Sequence, residues 1–169
     1  MLSPIPFSKP YLTENELTYL RTALASGHWQ GDGPFSRKCC DWLRHRTGAE
    51  IFLTPSGTAA LELAFMSLGL RPGDEVILPS FTFVSSANAL VHMGLVPVFI
   101  DIRGDTLNLD ERLIEQALTE RTKAILVVHY AGISASMATI LQIAQNRNLF
   151  LIEDACQGVN AYYQNQALL

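Results

Sequence analysis

An alternation that begins near residue 51 and runs almost to the end constrains this chain more than any other feature. Short apolar or β-branched runs, IFL (51–53), EVIL (75–78), VPVFI (96–100), AILVV (124–128) and LFLIE (149–153), take turns with stretches of helical periodicity at 57–68, 83–93, 110–118 and 136–147. The runs lack the polar alternation of a strand with one wet face, so each is expected to be covered on both sides. Buried strands separated by helices require a mostly parallel sheet with helices on both faces and right-handed crossovers. The fold class expected is α/β.

The boundaries agree with that reading. Gly69 and Gly94 stand where helix-ending glycines belong. Asp110 is placed to cap the helix that follows it, and Thr13 and Glu16 have capping-box spacing ahead of NELTYLRTALAS. Residues 1–10 hold three prolines and read as an irregular arm, and GHWQGDGPFS (27–36) reads as a glycine-rich loop between two helices. Residues 1–50 are thus expected to form an N-terminal arm with helices, and 51–169 the sheet-bearing part. AYYQNQALL at the end reads as a strand and turn without a closing helix. A parallel sheet whose last strand simply stops exposes a hydrogen-bonding edge. A small natural domain and part of a larger protein both account for this.

Composition narrows the function classes. Hydrophobic residues make up 49% and charged residues 17% of the 169, against about 25% charged in ordinary domains; much of the chain must be buried. The net charge is -4, with no cluster of Lys and Arg, which argues against a nucleic-acid surface. No apolar run reaches the roughly 18 residues of a membrane helix, and MLSPIPFSKPYLTENE lacks the pattern of a signal peptide. A cytoplasmic protein is expected. Cys39, Cys40 and Cys156 form no CxxC pair, and His28, His45, His92 and His129 show no metal-site spacing, so no metal centre is expected.

In open α/β sheets ligands bind at the carboxyl ends of the strands, so the residues just after each run matter most. Thr54-Pro55-Ser56-Gly57-Thr58-Ala59-Ala60 turns straight into a helix; its small residues and free N–H groups suit a phosphate, although the residues alone favour a plain turn capped by Ser56 or Thr58. Pro79-Ser80-Phe81-Thr82-Phe83 offers two aromatics, with Phe81 read as a core residue. His129-Tyr130-Ala131-Gly132 supplies either polar ligand contacts or a satisfied structural histidine. Glu153 and Asp154 are neighbours on a strand and must point to opposite faces. Two acids at the tip of a buried strand are costly unless paired. An anion cradle, an aromatic face and a buried carboxylate together suit a phosphorylated, aromatic, cationic ligand such as pyridoxal 5'-phosphate.

PSGTAALELA, GDEVILPSFTFVSSANA, DTLNLD, VVHYAG and IEDACQG occur in the order and spacing of the DegT/DnrJ/EryC1/StrS aminotransferases, which the chain resembles from about residue 5 to its last few residues. The resemblance implies a fold type I large domain that binds pyridoxal phosphate, and amino transfer from L-glutamate to a nucleotide-linked keto-sugar by a homodimer. It implies roles residue by residue. Gly57, Thr58 and Ala59 would meet the cofactor phosphate. Phe83 would stack on the pyridine ring, Asp154 would pair with the pyridinium nitrogen, and Gln157 would hydrogen-bond the phenolic oxygen. Gly31-Asp32-Gly33 corresponds to a loop near the active-site region, without an assigned role.

One departure is large. The family's Schiff-base lysine lies beyond a Ser-Phe segment that is not in this sequence. The lysines present are Lys9, Lys38 and Lys123, none at the matching position, and Lys123 is expected at the opposite end of its strand. Leu169 stands where the family has glycine. The resemblance therefore implies only the front part of such an enzyme, without the rest of the large domain and the small C-terminal domain. A related nucleotide-sugar dehydratase, with histidine in place of the lysine, and an inactive remnant or interaction module are the alternatives.

Overall fold

Four of the five apolar runs form one sheet. β1 (Glu75–Pro79), β2 (Val96–Ile100), β3 (Thr122–Val128) and β4 (Phe150–Asp154) are all parallel, in the order β2-β1-β3-β4. The computed structural model describes residues 4–6 and 9–168; Leu169 and part of the N-terminal arm lie outside them.

Side-chain alternation sorts the sheet into two cores. Val76, Leu78, Ala124 and Leu126 face one way and pack with Leu61 and Phe65 of α3 (Gly57–Ser67) and with Ala89 and Leu90 of α4 (Ser85–His92). Ile77, Ile125 and Val127 face the other way, toward Ile114 of α5 (Ile114–Ala117) and Met137, Ile140 and Ala144 of α6 (Met137–Arg147). The result is a three-layer α/β/α arrangement, as the bare apolar runs require. Each fully buried Ile or Leu in these layers contributes about 1.5–3 kcal/mol. Truncating Leu126 to alanine removes about 2–5 kcal/mol, because neighbours on a rigid sheet cannot collapse into the space.

Local signals set the boundaries. Ser56 is extended, and its Oγ accepts from Ala59 N–H at 3.1 Å, which starts α3; of the two candidate caps it is serine that acts. Gly69 ends the helix with φ 66, a conformation that costs glycine nothing. Asp110 accepts from Arg112 N–H at 3.1 Å, but the helix expected over 110–118 is a single 3-10 turn, Glu111–Leu113, followed by the one turn of α5.

Residues 51–53 correct the expectation of a fifth strand. They form no ladder, and Phe52 is 79% exposed. An apolar, β-prone run becomes a strand only when a neighbour satisfies its backbone, and no described strand lies beside it. At the other end, β5 (Tyr162–Tyr163) and β6 (Gln166–Ala167) make the expected strand and turn. They pair as an antiparallel hairpin through Gln164 and Asn165 at φ 48 and 66.

The chain divides into two units, Met1–Trp42 and Leu43–Leu169, and the sheet belongs wholly to the second. The first holds α1 (Glu16–Ala25) and most of α2 (Pro34–Thr47), joined by the glycine-rich loop. Within it Tyr19 and Phe35 meet edge to face at 5.7 Å, and Asp32, with φ 58, lies 3.6 Å from Arg37. The Thr13–Glu16 capping box is half made. Glu16 Oε1 accepts from Thr13 N–H at 2.6 Å and from its hydroxyl at 2.9 Å. The cap position is Asn15, whose side chain makes no capping bond.

Candidate active site at the carboxyl edge of the sheet

β2 lies on one side of β1 and β3 on the other, so the chain reverses its winding between β1 and β3. Such a switch point opens a crevice beyond the carboxyl ends of the strands. Four segments converge there: the start of α3, the β1–α4 loop, the turn after β3, and the tip of β4.

The start of α3 and the start of α4 are tied together by Thr58 Oγ1 and Ser85 Oγ at 2.7 Å. Ser56 takes the N–H of Ala59, leaving the N–H groups of Gly57 and Thr58 without a protein partner among the described residues. Those are the orphan donors of a helix N-terminus, with its partial positive charge. Gly57 is required by what lies behind it: a Cβ there would stand 2.8 Å from Cys156 Sγ.

Asp154 closes the other side. It ends β4 on the α3/α4 face, in register with Val128. Its Oδ2 accepts from the fully buried Ser86 hydroxyl at 3.4 Å, and its Oδ1 from Cys156 N–H at 3.1 Å. Ser86 in turn bonds Thr82 Oγ1 at 3.0 Å. Burial, then the hydrogen bond and negative charge of Asp154, push the Cys156 thiol up to about 11. Cys156 remains solvent-exposed behind the start of α3, and a thiol held protonated is a poor nucleophile.

Glu153 points to the opposite face, as neighbours on a strand must. Its Oε2 meets Nε2 of the fully buried His129 at 2.9 Å, while His129 Nδ1 accepts from Ala135 N–H at 3.2 Å. That backbone donor places the ring proton on Nε2. His129 is the satisfied structural histidine, and the pair pins the end of β3 to the end of β4.

The turn Tyr130–Gly132 brings two more groups to the crevice. Ala131 N–H donates to Gln157 Oε1 at 2.6 Å. This uses the acceptor end of the amide and leaves the NH2 group as a donor. Tyr130 lies against Phe81, with ring centroids 4.8 Å apart. Phe81 was expected in the core and is instead 44% exposed, because its loop lies beyond the last residue of β1; Phe83 is 73% exposed. An aromatic on a strand-end loop escapes the sheet layers however apolar it is. Lys123 sits at the amino end of β3 and donates to Glu120 O at 2.8 Å, away from this edge.

The proposed phosphate turn, aromatic loop, Asp154 and Gln157 therefore share one edge of the sheet. Ser85, Ser86 and Cys156 join them there; they lie inside the family motifs without an assigned role, whereas Tyr130 is already a candidate contact. Among the three without a role, Ser86 had a usable signal, as a serine just inside a helix that follows an apolar strand.

The model of the DegT/DnrJ/EryC1/StrS aminotransferase family matches residues 10–168. The chain is 40% identical over 165 residues to the spore coat polysaccharide biosynthesis protein SpsC of Bacillus subtilis, covering 97% of this chain and 42% of that protein. It is 36% identical, over the same shares, to a UDP-4-amino-4-deoxy-L-arabinose–oxoglutarate aminotransferase of Shewanella sediminis. The PMP form of the putative sugar aminotransferase Spr1654 from Streptococcus pneumoniae superposes with a TM-score of 0.89 at 34% identity, over 97% of this chain and 45% of that one. The chain thus spans less than half the length of these relatives. With a mostly parallel sheet flanked by helices and a family match over nearly its whole length, this chain belongs to the DegT/DnrJ/EryC1/StrS aminotransferase family.

Proposed function

We propose that this chain forms the cofactor-holding part of a pyridoxal-phosphate-dependent sugar aminotransferase, with an L-glutamate donor and a nucleotide-linked keto-sugar acceptor. The observation that carries the reading is the meeting, at one switch point, of two helix N–H groups and a carboxylate that have, respectively, no acceptor and no cation among the described residues, and an amide fixed with its donor outward. Those groups match an anionic phosphate, a cationic ring nitrogen and a ring oxyanion.

When bound, pyridoxal phosphate supplies an electron-withdrawing ring that carries an amino group between two carbonyl compounds. Gly57 and Thr58 hold the phosphate through their N–H groups, and Ala59 keeps the approach open. Phe83 covers a face of the ring. Asp154 keeps the proton on the ring nitrogen, because a carboxylate beside it favours the charged form. Gln157 donates to the phenolic oxygen. We give none of Lys9, Lys38 and Lys123 a part in this set.

Within the family, the type we favour is the dTDP-4-amino-4,6-dideoxygalactose transaminase of enterobacterial common antigen synthesis, with a dTDP-4-keto-6-deoxyhexose as acceptor. A homodimer in the cytoplasm belongs to the same proposal. Two measurements test it. Titrating the chain with pyridoxamine phosphate should quench and shift the ligand's fluorescence saturably; no saturation would sink the cofactor assignment. A protein continuing this sequence to the length of its relatives should convert glutamate to 2-oxoglutarate only with the dTDP-keto-sugar added. Turnover with other nucleotide sugars alone would remove the acceptor assignment.

A further inference from the structure

DTLNLD (105–110) contributes to the family likeness yet has no part in the reading above. Its Asn108 is 1% exposed, and both ends of its side chain are committed to one turn. Oδ1 accepts from Tyr130 N–H at 2.8 Å, and Nδ2 donates to the Ile133 carbonyl at 2.8 Å. The turn held this way is not one the chain adopts readily. Ala131 lies in the left-handed region at φ 54, ψ 24, and Gly132 follows at φ 77. Alanine is disfavoured there because its Cβ crowds the backbone, so such a conformation persists where surrounding contacts over-determine it.

The far side of the same turn meets the candidate site. A Cβ at Gly132 would stand 2.9 Å from the Gln157 carbonyl oxygen, and Ala131 N–H bonds Gln157 Oε1 at 2.6 Å. Asn108 and Gln157 therefore grip one strained turn from opposite sides.

We propose that Asn108 is a positioning residue: by clamping the Tyr130–Ile133 turn it fixes Ala131 N–H, which orients the Gln157 amide with its NH2 group toward the crevice. The identity of the oxygen that receives this donor rests on the cofactor reading above; the orientation of Gln157 is a property of the chain alone.

The test uses the whole chain labelled with 15N. In Asn108→Ala the Ala131 amide should exchange at least about tenfold faster, and the Gln157 side-chain NH2 pair should move to the position of a free glutamine, while β3 and β4 amides hold theirs. Asn108→Asp keeps the acceptor for Tyr130 N–H and loses the donor to Ile133, so it should fall between the two; if the alanine variant does not fold, this one decides. An unchanged Gln157 side-chain signal in a folded variant overturns the proposal. A second measurement separates positioning from general support. Asn108→Ala should weaken pyridoxamine phosphate binding about fivefold in the otherwise unchanged chain, the size of one hydrogen bond. It should weaken binding no further in a Gln157→Ala background. Equal weakening in both backgrounds also overturns it. Absence of binding by the unsubstituted chain counts against the cofactor reading and leaves the resonances to decide Asn108.

Discussion

Glu75 and Asp154 are carboxylates at opposite ends of the same sheet, and their partners give them different work. Glu75 opens β1 at the amino edge, 3% exposed. It accepts from Thr119 Oγ1 and Arg121 Nη2, each at 2.5 Å, and from Thr122 Oγ1 at 3.5 Å. The Thr119 hydrogen bond first, then the charge and hydrogen bond of Arg121, hold its carboxyl below the ordinary 4.5 against the cost of burial. Its capacity is used up within the protein. Asp154, at the carboxyl edge, has one long hydroxyl contact and one backbone N–H, and no cationic side chain among the described residues. A saturated anion ties elements together, whereas an anion left short of a cation at a switch point suits a ligand that brings one.

The largest effect should come from exchanging what Asp154 offers. Asp154→Ala is expected to weaken pyridoxamine phosphate binding by about 10- to 100-fold, the range for a lost charge-assisted hydrogen bond, while leaving the melting temperature nearly unchanged. A large loss of stability with intact binding would reverse the roles of the two carboxylates. Next, Glu75→Ala should cost about 2 kcal/mol in chemical denaturation by freeing two hydroxyls and the Arg121 pairing, with ligand affinity unmoved.

A smaller effect is the pH dependence. Because Glu75 has a lowered folded pKa, its contribution is present above its unfolded value and is lost as pH falls through the folded one. The melting temperature should drop on acidification from about pH 5 toward about pH 3, and Glu75→Gln should flatten that slope. The smallest concerns Cys156, whose thiol is raised to about 11 by burial first and by Asp154 second. Asp154→Asn should speed its alkylation by iodoacetamide a few-fold at mildly alkaline pH, and an unchanged rate would mean that burial alone sets the reactivity.

How much was legible follows a physical line. β1 to β4 were readable within a residue or two from their apolar runs, but the expected cover on both faces holds only for the central β1 and β3; the edge strands β2 and β4 leave Phe99 53% and Phe150 47% exposed. The same reasoning failed at IFL (51–53). Apolarity expresses the need for a cover, and only a neighbouring ladder turns that need into a strand. Phe81 misled for the related reason that an aromatic side chain reads as core wherever it lies. His129 could be read either as ligand or as support until its two partners, Glu153 and Ala135 N–H, were in view.

By itself the sequence determined the α/β class, a helix beginning at 57, the capping role of Asp110, the opposite facing of Glu153 and Asp154, and the family. These rest on local chemistry: periodicity, capping hydroxyls, and a strand's twofold alternation. Tertiary structure alone decided that Ser86 would meet Asp154 across 68 positions, that Cys156 would back Gly57, and that Asn108 and Gln157 would hold one strained turn between them. Hydrogen bonds between residues far apart in the chain depend on strand order and register, and no local pattern encodes which side chains those will bring together.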